Sequence, residues 1–184
     1  MSANSIKSIA VFCGSSKGHD PVLIKDCLDL AAAFCTHNIT LVYGGGNVGL
    51  MGVLADEMLR LGGRVIGVIP EKLVQIEVAH KGLTQLHVVK GMHERKALMT
   101  SHSDAFMVLP GGIGTMEEFF EIYTWQQLGY HHKPIAISNI NGFYDILIDF
   151  LKILTERDFV KKSQIDRLII ESNSVKVLDN LLTK

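Results

Sequence analysis

The chain is short of cysteine, has no excess of charge of either sign and contains no long apolar run. Its three cysteines, Cys13, Cys27 and Cys35, are an odd number without metal-ligand spacing, so reduced thiols are expected and no disulfide framework is encoded. Cys27 and Cys35 fall in an apolar helical stretch, where small thiols are commonly buried. Eighteen Lys and Arg against nineteen Asp and Glu give a formal net charge of −1. No overall basic field therefore draws the chain to a nucleic-acid polymer or to anionic lipid. The segment Met1 to Lys7 has neither the basic region nor the apolar run of a secretory signal, and no stretch approaches the roughly 20 apolar residues that span a bilayer. A cytoplasmic protein with no membrane partner is expected, recognising a small ligand.

What is present is apolar bulk. At 184 residues and 47% hydrophobic, the chain has the length at which about 70% of the unfolded surface can be buried. No repeat, low-complexity tract or Gly/Ser/Pro linker breaks it, so one domain over residues 1–184 is expected. Short β-branched runs alternate with longer amphipathic ones: Ser8 to Cys13, Thr40 to Tyr43, Arg64 to Pro70, Gln85 to Val89, Ala105 to Leu109, Pro134 to Ser138 and Leu168 to Glu171. These read as strands separated by helices. Because the runs are nearly continuously apolar, both faces should be covered. The expected architecture is α/β: a single Rossmann-like, doubly wound parallel sheet with helices on both faces.

Glycine-rich or polar turns follow three of these strands: Cys13-Gly14-Ser15-Ser16, Gly44-Gly45-Gly46-Asn47 and Pro110-Gly111-Gly112-Ile113-Gly114-Thr115. In a parallel sheet all three lie at the carboxyl edge, which makes Ser15 and Gly45 candidate ligand contacts beside the third turn. Glycine admits close approach of backbone, and a helix starting just beyond directs free N–H groups and its positive end at the same point. Phosphate is the expected guest. The spacing Gly44-x-Gly46-x-x-Gly49 also has the form of a dinucleotide fingerprint, with Glu71 as a possible ribose acid and Leu50 to Leu61 as its helix. Against that reading, the motif follows the second strand, and a second glycine turn needs its own explanation. Glycine that only relieves crowding at strand-to-helix corners is the plainer alternative.

Two charged residues stand out, each with two readings. Glu118 either belongs to a capping box begun by Thr115, or lies one turn into a phosphate-holding helix, within a sugar's length of the anion. Arg95 shares a helical face with Met92, Met99 and His102 and should point inward. It is then either a structural ion-pair member, with Glu94 or Asp104, or part of a site; Lys96 has the same alternatives. His80, His87, His93, His102, His131 and His132 show no metal-like grouping, so no metal is expected. No Gly-x-Ser-x-Gly elbow appears and Cys13 has no evident base, which leaves carboxylate and guanidinium chemistry.

The segments Gly44-Gly45-Gly46-Asn47-Val48-Gly49-Leu50-Met51-Gly52, Met92-His93-Glu94-Arg95-Lys96 and Pro110-Gly111-Gly112-Ile113-Gly114-Thr115-Met116-Glu117-Glu118 resemble the Lonely Guy (LOG) family. Its members are cytokinin riboside 5′-monophosphate phosphoribohydrolases, long misnamed lysine decarboxylases. The likeness runs from about Ile9 to Pro134. It implies that Arg95 and Glu118 are catalytic and that Gly111, Gly112, Ile113, Gly114 and Thr115 hold a phosphate. It further implies that Glu77, Met92, Lys96, Glu117 and Thr124 line the substrate pocket. The implied reaction releases free base and ribose 5-phosphate from a nucleoside 5′-monophosphate without a cofactor, in a homodimer whose sites lie near the subunit contact, on the helix of Trp125. The alternative is a non-catalytic nucleotide or molybdenum-cofactor carrier of the same fold. A decarboxylase is disfavoured, since no Schiff-base lysine with a pyridoxal-phosphate site is evident. No motif identifies the wall that meets the base.

Overall fold

In the computed structural model, which describes residues 6–76 and 78–183, strands and helices alternate along the chain. They are β1 Ser8–Phe12, α1 Pro21–Thr36, β2 Thr40–Tyr43, α2 Gly49–Arg60, β3 Val65–Pro70, β4 Gln85–Val89, α3 Met92–Ser101, β5 Ala105–Val108, α4 Ile113–Gln127, β6 Ile135–Ser138, α5 Asp145–Glu156, α6 Lys162–Ile165, β7 Ile169–Glu171 and α7 Ser174–Leu182. All seven apolar runs named above are strands. They form one parallel sheet in the order β4-β3-β2-β1-β5-β6-β7.

Side-chain alternation along each strand divides the core in two. Ile9 and Val11 of β1, Leu41 and Tyr43 of β2 and Met107 of β5 pack with α1, α2 and α7. Ala10, Phe12, Val42, Phe106 and Val108 face the other way, against Met99 of α3, Phe119 and Ile122 of α4 and Leu151 of α5. The sheet is therefore doubly wound, as the apolar runs imply. On the first face, a buried polar tie links α1 to α7: Asp26 accepts from the Ser174 N–H at 3.0 Å and from its hydroxyl. Burial raises the Asp26 carboxyl above the ordinary aspartate value, while the two Ser174 bonds oppose that rise.

β4 departs from the expectation that both faces of every strand are covered. It is an edge strand, and Leu86 and Val88 are 37% and 53% exposed. An apolar run reports a strand, not the number of layers laid against it.

The strand order reverses between β1 and β5, because the chain winds outward from β1 to the β4 edge and then returns to β5. The crevice at the carboxyl ends of β1 and β5 is the switch point at which such sheets bind ligands. α3 lies within that return.

His131 is buried; its Nε2 bonds the Ile122 carbonyl at 2.8 Å and its Nδ1 accepts the Lys133 N–H at 3.2 Å. That pair of bonds requires the neutral ring with the proton on Nε2. Burial lowers the His131 pKa below its ordinary 6.5, with Lys133 and His132 acting in the same direction and the Ile122 bond against it. A group depressed in the folded state adds stability above its unfolded pKa and loses that contribution as pH falls through the folded value. The melting temperature of the native chain should therefore drop between pH 7.5 and pH 5, and His131→Gln should show a smaller drop. Equal slopes in a thermal melt series would refute the tie.

Among the described residues, no helix is long and apolar enough to cross a membrane.

A candidate active site at the sheet switch point

The three turns after β1, β2 and β5 are joined by backbone hydrogen bonds. The Gly14 N–H donates to the Pro110 carbonyl at 3.1 Å, and the Leu50 N–H donates to the Gly14 carbonyl at 3.0 Å. The buried Tyr144 hydroxyl, from the segment before α5, donates to the Leu109 carbonyl at 2.6 Å and so holds the base of the third turn.

α4 begins at Ile113, with Gly112 as its N-cap and no capping side chain among the described residues. This corrects the capping-box reading. Thr115 is the third residue of the helix and is buried, so it does not occupy the cap position, and Glu118 does not stand three residues beyond a cap. First-turn amides have no partner inside a helix, and this end is open to an anion.

The second turn looks different in three dimensions from its one-dimensional pattern. A side chain at Gly44 would overlap the Arg95 guanidinium, and one at Gly49, where φ is +60°, would overlap the backbone of Ser15 and Ser16. Two glycines of the dinucleotide-like spacing are thus taken up by contacts within the protein. Close packing explains them without a cofactor.

Arg95 is 4% exposed. Its Nε donates to the Val68 carbonyl at 3.1 Å, its Nη2 donates to the Gly44 carbonyl at 3.2 Å, and Nη2 stands 4.0 Å from Glu118 Oε1. The ion-pair partners weighed from the sequence are engaged elsewhere. Glu94 accepts the Lys90 N–H at 3.0 Å, and Asp104 accepts from the backbone and hydroxyl of Ser8. The guanidinium is therefore held by β3 and the turn after β2 on one side and faces a carboxylate on the other.

Lys96, next in α3, is also buried. Its Nζ lies 2.5 Å from Glu117 Oε1 and 2.9 Å from Glu121 Oε2. Burial by itself would lower the lysine pKa, but the Glu117 and Glu121 carboxylates outweigh it and hold the value above the ordinary one. α3 and α4 are thus tied by one ammonium and two carboxylates, beside the Arg95 and Glu118 pair.

Ser15, Met92, Arg95, Gly112, Ile113, Gly114, Thr115, Glu117 and Glu118 line one cleft of about 220 Å³, together with Cys13, Gly44, Met51 and Leu73. Other residues marked from the sequence do not line it. Gly45 is buried with its carbonyl accepting the His80 N–H at 2.9 Å. Gly111 faces an adjoining apolar cleft with Leu23, Leu50 and Phe143. Lys96 lies behind Glu117, Thr124 is exposed farther along α4, and Glu77 falls outside the described residues.

Cys13 borders the cleft, but burial pushes its thiol well above the ordinary range, with Cys27 and Glu118 adding to the rise. It is poorly suited to thiolate chemistry. Among the described residues, no group of three or more His, Cys, Asp or Glu is placed to hold a metal ion.

Two contributors escaped the sequence reading. Tyr144 carries no local signal, since its contact with Leu109 joins distant segments. Glu121 had one: acids four apart on a helix, Glu117 and Glu121, repel unless a cation stands between them.

A family model described as possible lysine decarboxylase matches residues 51–181. A cytokinin riboside 5′-monophosphate phosphoribohydrolase from Rhodococcoides fascians is 46% identical over 165 residues, covering 89% of this chain and 83% of its own. An enzyme of the same name from Arabidopsis thaliana is 41% identical over 175 residues, covering 95% and 82%. Among solved structures, the molybdenum cofactor carrier protein of Chlamydomonas reinhardtii has a TM-score of 0.69 at 17% identity, covering 96% of this chain and 98% of that one. A molybdenum cofactor binding protein from Rippkaea orientalis has a TM-score of 0.67 at 20% identity, covering 98% of both chains. These two share the fold. The sequence likeness carries more: identities of 46% and 41% over most of both chains show that this protein belongs to the cytokinin riboside 5′-monophosphate phosphoribohydrolase, or Lonely Guy, family.

Proposed function

We propose that this chain is a hydrolase that cleaves the N-glycosidic bond of nucleoside 5′-monophosphates, cytokinin ribotides or AMP, to free base and ribose 5-phosphate. One observation carries the reading: Glu118 and Arg95 meet at 4.0 Å in the cleft whose wall is the open N-terminus of α4. The phosphate lies on Gly112 to Thr115, where first-turn amides and the positive end of the helix favour an anion. Glu118 is the sixth residue of α4, about 8 Å along the axis at 1.5 Å per residue. Helical side chains lean toward the N-terminus, which brings its carboxylate within a ribose of the phosphate.

In the reaction, the bond from C1′ to the base nitrogen breaks and its electron pair leaves with the base. Water supplies the new oxygen on C1′, and the proton it gives up ends on the departing base. The sugar passes through an oxocarbenium-like state, whose positive charge the Glu118 carboxylate stabilises while it orients the water. Arg95 orients the substrate and the Glu118 carboxylate, and Lys96 ties Glu117 of α4 to α3.

A cytoplasmic homodimer belongs to the same reading. Phe120, Leu128 and Tyr130, on α4 and just beyond it, are exposed, and Thr124 on the same helix stands outside the cleft. An apolar α4 surface beside the site supports a second subunit there. The test is chromatographic. Purified protein should release adenine from AMP but not from adenosine or ATP, and should sediment as a dimer. Retention of AMP without release would favour a carrier, and an active monomer would remove the dimer.

A further inference from the structure

The tie between α3 and α4 has an asymmetry. Lys96 is 6% exposed at its side chain, Glu121 19% and Glu117 50%. Of the two carboxylates that share the ammonium, Glu117 also lines the cleft and Glu121 does not. A buried ammonium needs a standing counter-ion. Were Glu117 its sole partner, any ligand hydroxyl that drew Glu117 away would leave Lys96 uncompensated.

We infer that Glu121 is a positioning residue for ligand binding: it is the permanent counter-ion of Lys96 and leaves Glu117 free to exchange that lysine for a hydroxyl of the bound nucleotide. The inference rests on the reading given under Proposed function and extends it to a residue outside the cleft. Glu121 acts on affinity through Glu117, whereas Glu118 and Arg95 act on the chemistry. Removing the Glu121 charge strengthens the hold of Lys96 on Glu117, and the nucleotide must then compete with that pair. The brace between α3 and α4 survives through Glu117, so the Arg95 and Glu118 geometry is kept.

The test compares the native enzyme, Glu121→Gln and the double variant Lys96→Met with Glu121→Gln, by AMP calorimetry, base-release kinetics and thermal melts. Glu121→Gln should raise both Kd and KM for AMP about 10-fold and move kcat less than about twofold, because the loss falls on uniform binding. The double variant, which has no buried ammonium to compensate, should regain Kd to within about threefold of native. A purely structural brace gives the opposite order, with the double variant weaker than the single one. That order, or an unmoved Kd in a folded Glu121→Gln, overturns the inference while native base release leaves the proposed activity standing. If the native protein neither binds AMP nor releases base, the proposed activity fails and this inference falls with it.

Discussion

Glu118→Gln is expected to lower kcat for base release from AMP by about 10²–10³-fold, the usual scale for losing one preorganised electrostatic contact to a charged transition state. Gln keeps the size of the side chain and a carbonyl oxygen, so packing against α4 and the cleft wall is preserved. What disappears is the negative charge that meets the developing cation on the sugar. KM should change by a few-fold at most, because in the proposed site the phosphate is held by α4 amides that the substitution does not touch. The helix itself should not suffer: its N-cap is Gly112, and Glu118 is its sixth residue. Thermal stability near native together with a large loss of kcat is the expected pattern. Near-normal adenine release by a folded Glu118→Gln protein would refute the catalytic assignment.

Arg95→Ala is expected to lose about 10³-fold in kcat/KM and to lose stability as well, which separates it from the first variant. The guanidinium donates to the Val68 and Gly44 carbonyls in a buried site, and leaving buried acceptors without donors costs about 1–3 kcal/mol. The neighbouring Glu118 carboxylate, 12% exposed, also loses its nearby positive charge. Arg95→Lys should recover part of the stability and little of the activity, since a single ammonium lacks the planar fork that serves two carbonyls and a carboxylate together. Kinetics and chemical denaturation on both variants check this. If Arg95→Lys were fully active, charge alone would suffice and the fork would carry no function.

Much of this protein is legible one residue at a time. The strand runs from Ser8, Thr40 and Ala105 declare a parallel sheet because a strand covered on both faces must be apolar on both. The third glycine turn declares a helix start at the carboxyl edge of the sheet, because glycine followed by a helical run is local chemistry. Elements whose meaning depended on neighbours distant in sequence were read less well. Gly44 and Gly49 copy a cofactor fingerprint but are required by Arg95 and Ser15, residues 51 and 34 positions away. Thr115 and Glu118 copy a capping box, yet the helix starts two residues before Thr115. β4 has the composition of a covered strand and lies at an edge.

The sequence by itself determined the fold class and, through its motifs, the family, since each is written in adjacent or periodic residues. Tertiary structure alone decided that Arg95 is anchored to β3 and to the turn after β2 while facing Glu118, that Lys96 is shared by Glu117 and Glu121, and that Tyr144 supports the third turn. Those contacts join α3, α4 and the sheet across the switch point. A chain reveals such meetings only when it has folded, because strand order, not residue order, sets which side chains share a cleft.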